Sequence, residues 1–188
     1  VTLEQIAARA EVSPPTIYNL VGTREQLLVA LVDRVIERLI EALPDEPQED
    51  PIAAARAAID HSTAVFVADS QAYRQIVRSL GDLAVSGSNL AFDPSHLHVA
   101  AMQRAQEAGV VRADLDPVAL GRQVFLTYMA ALFAWAAEDL SDRGFAIAAR
   151  HGFATVLAAA SRDEHRDAAL EELQALGADL ARVGWSRR

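Results

Sequence analysis

Apolar residues along this chain recur three and four positions apart almost throughout, and no run alternates at period two. The pattern therefore predicts an all-α fold. Near the start, Ile6, Ala7 and Ala10 fall on one face of a short helix led by Thr2, with Gln5 three residues later to close a capping box. Glu11-Val12-Ser13 breaks the run. Ser13 caps a second short helix, where Pro14 and Pro15 are tolerated because the first N–H groups of a helix have no internal partner. Ile17 and Val21 are expected to face inward, and Gly22 to end the helix in a left-handed conformation. Thr23, with Gln26 three residues on, caps a longer helix reaching about Leu43. Its apolar side carries Leu27, Leu28, Leu31, Val35, Leu39 and Leu43.

The acidic, proline-rich stretch PDEPQEDP at 44–51 stops that helix. Further helices are predicted from Pro51 to about Ala68, Ser70 to Val85, Ser95 to Ala108, Pro117 to Leu140, Ser141 to Ser161 and Asp163 to Val183. SGSNLAFDP forms a loop before Ser95, and Gly109 closes the helix that follows it. The last helix places Leu170, Leu173, Leu176 and Leu180 near heptad spacing. The segments 117–140 and 141–161 are apolar over more than one face, so one side needs a partner, most simply a twofold-related copy. Two units result: a small helix-turn-helix head with its connecting helix at 1–44, and a larger helical body at 45–188 for ligand binding and dimerisation.

Composition narrows the function. The 188 residues contain no cysteine, which excludes disulfides, thiol redox sensing and cysteine–zinc sites and fits a reducing cytoplasm. The longest apolar stretch, Val124 to Ala137, is interrupted by Thr127 and falls short of the ~20 residues that span a bilayer, so no membrane association is expected. A net charge of −9 argues against a general nucleic-acid coat protein, while leaving room for a local DNA-reading face. The head itself carries four arginines (9, 24, 34 and 38) against six acids (4, 11, 25, 33, 37 and 41), which works against tight DNA binding.

The second short helix is the candidate DNA reader. Presented N-terminus first to a major groove, it brings Pro14, Pro15, Thr16 and Asn19 to base edges, with its cap Ser13 also counted in the DNA-binding face; Thr16 can touch a thymine methyl, and Asn19 can pair with adenine. Thr2, Tyr18, Thr23 and Arg24 are placed for phosphates. Ser13 and Thr23 are explained equally well as helix caps. In the body, His61, Phe66, Tyr73, Phe92, Met102, Phe125, Tyr128, Met129 and Phe133 suit an apolar pocket with a few polar groups, although each is also an ordinary core residue. Asp93, His96 and His98 cluster, but His-x-His spacing does not align two ligands on one helix face, so no metal is expected. No phosphate loop, nucleophile elbow or HExxH pair occurs, so neither enzyme activity nor a cofactor is expected.

With these residues in view, TLEQIAARAEVSPPTIYNLVGTREQLL resembles the DNA-binding segment of the TetR (tetracycline repressor) family of bacterial transcription regulators. The match runs through A-x-x-A-E-V-S at 7–13, T-I-Y at 16–18 and the capped start at Thr23. Departures are Glu11 where glycine is usual, Leu20 for His or Tyr, Val21 for Phe, and Arg24 for Lys. AQEAGVVRADLDP at 105–117 is similar to the turn before that family's dimerisation helices. The spacing of Trp135, Phe145 and Gly152 is similar to those helices themselves.

The resemblance implies a homodimeric repressor that leaves a palindromic double-stranded DNA operator when a small-molecule effector binds its body. It also implies a further helix before Val1, and a dimer interface through Trp135, Phe145, Ala148, Gly152, Phe153 and Val156. The alternative is an all-helical small-molecule or partner-binding protein whose head does not read DNA.

Overall fold

The computed structural model describes residues 3–22, 24–41, 50–86, 93, 95–183 and 185. Nine helices lie among them, in the order α1 (Leu3–Arg9), α2 (Pro14–Val21), α3 (Arg24–Glu41), α4 (Pro51–Ala68), α5 (Ser70–Ser86), α6 (Ser95–Glu107), α7 (Pro117–Ala136), α8 (Asp142–Ala160) and α9 (Asp163–Val183). The described residues contain no strand, only isolated backbone bridges Val111–Ser161 and Leu140–Trp185. The chain is all-α.

Local signals set the helix starts. Asp50 Oδ1 accepts from the backbone N–H of Ile52 and Ala53 at 2.8 and 3.0 Å, with Pro51 opening α4. Asp116 does the same for Val118 at 2.9 Å, with Pro117 opening α7. Ser141 Oγ accepts from Gly144 N–H at 3.0 Å at the head of α8. Each side chain satisfies a donor that the first helical turn leaves free.

The helices then assemble around α7 and α8. α7 packs on α5, α6 and α8, while α8 also packs on α4 and α9. At the centre Trp135 stacks on Phe145, with ring centroids 5.1 Å apart and planes at 21°. Phe66 of α4 meets both rings edge-on at 6.3 Å, the geometry that ring quadrupoles favour. The indole N–H of Trp135 donates to Asp142 at 2.7 Å, and Arg74 and Ser70 of α5 converge on the same carboxylate at 2.9 and 3.2 Å. Desolvation pushes the Asp142 pKa upward, but these hydrogen bonds and the Arg74 charge outweigh it and hold the group below its ordinary value. Arg74 also lies over the Trp135 ring, 4.7 Å from its centroid.

Two glycines fix how closely the helices cross. A Cβ on Gly121 would lie 2.4 Å from Val99 Cα and 2.5 Å from its nitrogen, so α6 runs against the bare backbone of α7 there. A Cβ on Gly152 would lie 2.7 Å from Thr127 Oγ1, so Gly152 serves the α7–α8 crossing within one chain.

Several expectations need correction. The inner face of α3 is Val32, Val35, Ile36 and Leu39, whereas Leu31 is exposed. Ala10 is also exposed, because α1 ends at Arg9 and the chain has already turned. Trp135, Phe145, Phe153 and Val156 are buried inside the single chain and present no free surface. The apolar stretch counted from Val124 understated its helix: α7 starts at Pro117, and over 20 residues it is long and apolar enough to cross a bilayer by length and composition. Here it packs within the body.

Candidate ligand cavity and candidate nucleic-acid face

A cavity of about 180 Å³ lies between α3, α4, α5, α6 and α7. Of the residues proposed from sequence, His61, Phe66, Tyr73, Phe125, Tyr128 and Met129 line it. Met102 is fully buried elsewhere in the core, and Phe133 points outward with 39% of its surface exposed. Neither lines this cavity, because each lies on another face of its own helix. Phe92 lies outside the described residues.

Two polar residues in the wall were not singled out as pocket residues. Ser62 Oγ and the Tyr128 hydroxyl are hydrogen bonded at 2.5 Å, joining α4 to α7. Burial raises the Tyr128 pKa, only partly opposed by that bond. The second is His98, which the sequence pattern marks only through its His-x-His spacing. Its ring lies 6.1 Å from Phe125 and 6.0 Å from Tyr128, tilted at 38° and 40°. Desolvation lowers its pKa to about 4, so the imidazole is neutral near pH 7. Helical spacing carried the signal in both cases. Ser62 lies between Ile59 and Phe66, and His98 lies one turn before the buried pair Ala101–Met102.

The α6–α7 crossing at Gly121 builds this corner. The backbone at His98–Val99 lies against Gly121, so the next turn of α7 brings Phe125 and Tyr128 to the His98 ring. Val32, Val35, Ile36 and Leu39 of the lining come from α3, which follows the two short helices in the chain.

The candidate nucleic-acid face is α2. Ser13 Oγ accepts from Thr16 N–H at 3.3 Å and lies 2.8 Å from Thr16 Oγ1, so Ser13 serves as the N-cap. Ala7 and Ile17 are buried between α1 and α2. Pro15 and Asn19 are exposed, Pro14 and Thr16 half-buried, and Leu20 stands 76% exposed. Thr2 and Thr23 lie outside the described residues, as do the side chains of Tyr18, Val21 and Arg24. Glu11 adopts φ 54°, the left-handed region that glycine enters more easily, and Gly22 ends α2 at φ 86°.

The residues assigned to a dimer interface divide in two. Ala148 and Gly152 are half-buried, whereas Trp135, Phe145, Phe153 and Val156 belong to the core. A different apolar strip is exposed on α7: Leu126 (59%), Ala130, Phe133 and Ala137 just past its end. No group of three or more metal-ligating side chains occurs among the described residues. No protein-family model matches the chain, nor does any curated protein or solved structure.

Proposed function

We propose that this chain is a homodimeric, ligand-responsive transcription regulator of the TetR kind, a cytoplasmic repressor that leaves a palindromic operator when a small molecule enters its body. The observation that carries this reading is the position of α3. It continues from the two short helices and also supplies four side chains to the wall of the internal cavity. A ligand that prefers one setting of α3 would shift the head accordingly, by no more than its differential affinity for the two settings.

Further support comes from α2. Its cap orders the first turn, and Pro15 and Asn19 stand free on its outer side. In the proposed complex two copies of α2 enter successive major grooves about 34–36 Å apart, with Thr16 and Asn19 toward bases and Tyr18 and Arg24 toward phosphates. The strip from Leu126 to Ala137 is the surface proposed to pair the two copies.

Selection of bound duplexes from a random library tests the reading: it should return a palindrome. Tyr18→Phe and Arg24→Ala should then weaken binding to all sequences alike, while Asn19→Ala relaxes the preference at one position. Failure to enrich any duplex would overturn the assignment, as would unchanged binding in all three variants. Sedimentation of Leu126→Arg tests the pairing surface and should give a monomer. A second reading, an all-helical ligand binder without DNA recognition, is favoured by the six acids against four arginines in residues 1–44 and by the exposed Leu20.

A further inference from the structure

The chemistry of the cavity wall restricts what can occupy it. We infer that the ligand is an uncharged, mainly apolar small molecule with a single hydroxyl or carbonyl group, oriented by His98 beside the Tyr128–Ser62 pair. This inference rests on the reading of the cavity as an effector site and specifies the class of effector.

Three observations support it. First, no Asp, Glu, Lys or Arg is among the described residues lining the cavity. A carboxylate would find no Lys or Arg there and an ammonium no Asp or Glu, so either would lose its hydration without a permanent counter-charge. Second, His98 cannot supply the missing charge near neutral pH, because it is held neutral. A neutral imidazole offers one donor and one acceptor, which suits a hydroxyl or carbonyl. The Tyr128 and Ser62 hydroxyls already bond each other and retain acceptor capacity toward a ligand. Third, the aromatic side chains do not form a cage for a cation. Phe66 meets Tyr73 edge-on at 73°, while Phe125 and Tyr128 both flank the His98 ring. The volume fits a compact ligand, since apolar cavities of about 150 Å³ accept a single aromatic ring.

The test compares octanol, octanoate and octylammonium on the full chain at pH 7, by calorimetry and by NMR of the histidine rings. Octanol should bind on the order of 100-fold more tightly than octanoate and on the order of 1,000-fold more tightly than octylammonium, because octanoate can enter only as its scarce neutral acid and octylammonium only as its scarcer neutral amine. Octanol should move the ring signals of His98 and His61 and leave those of His151 and His165 in place. Ala58→Leu, which fills the cavity, should weaken octanol binding; should that variant misfold, the ring signals of the unmodified chain still locate the ligand.

Tight binding of octanoate or octylammonium with the His98 signal shifted would overturn the ligand class and leave the effector cavity standing. If no compound binds, or His98 stays still, the cavity is not an effector site and both conclusions fall.

Discussion

The two short helices and the five-helix wall of the cavity are ordered by different forces. Between α1 and α2 the buried described side chains are Ala7 and Ile17, and the geometry comes from Ser13 capping α2, Gly22 ending it and Glu11 turning the chain. In the body, Trp135, Phe145 and Phe66 interlock from three helices, and Gly121 and Gly152 let backbones meet. A unit ordered by caps and turns buries little apolar area and depends on its neighbour for stability. A unit ordered by packing tolerates local change but not a change of volume.

The largest test of this contrast is Phe145→Ala. The ring is fully buried against Trp135 and Phe66, so its loss should cost about 4 kcal/mol. Denaturant titration followed by far-ultraviolet circular dichroism of the helices reads this directly. A loss below 1 kcal/mol would mean the stack is not the keystone of the body.

Next comes a pair of identical substitutions with opposite signs. Gly121→Ala sets a methyl group against the α6 backbone and should cost about 3 kcal/mol, while loosening the cavity at His98. Gly177→Ala in α9 meets only the His151 ring, at an ordinary 3.5 Å, and should stabilise by about 0.5–1 kcal/mol through lost unfolded-state freedom. Thermal melts of both variants check the signs. Equal behaviour would remove the close crossing as the reason for glycine at 121.

These cases explain what could be read from the sequence. Helix spans were legible because caps and prolines act locally: α4 and α9 run as expected, and α7 and α8 differ only at their ends. Six of the proposed pocket residues line the cavity because aromatic and histidine side chains on apolar faces were few enough to single out. Illegible were the features made by distant contacts. Gly121 matters only because Val99 lies against it, and His98 became a wall residue only through that crossing. Trp135 and Phe145 looked fit for a partner, yet they satisfy each other within the chain.

Acid should act on the body through His98. The folded pKa of about 4 lies below the unfolded value near 6.5, so the unfolded chain binds the extra proton first as pH falls. The contribution from this group is complete above about pH 6.5, declines as pH drops toward 4, and levels off below that, for a total of about 3 kcal/mol. Urea titrations across this range in the parent and in His98→Leu should differ in slope, with the steeper loss in the parent. Parallel curves would show that His98 is solvated and charged, contrary to its place in the wall.

The smallest expected effect lies in the head. Glu11 holds φ 54°, and left-handed backbone costs a side-chain-bearing residue about 1 kcal/mol. Glu11→Gly removes that strain but frees the unfolded chain, leaving a net gain of about 0.5 kcal/mol. Because the turn is local, the gain should appear as slower amide exchange in α1 and α2 with no change in the melting of the body. A matching rise in the body's stability would show that head and body unfold as one unit, and the contrast between the two regions would then be one of construction only.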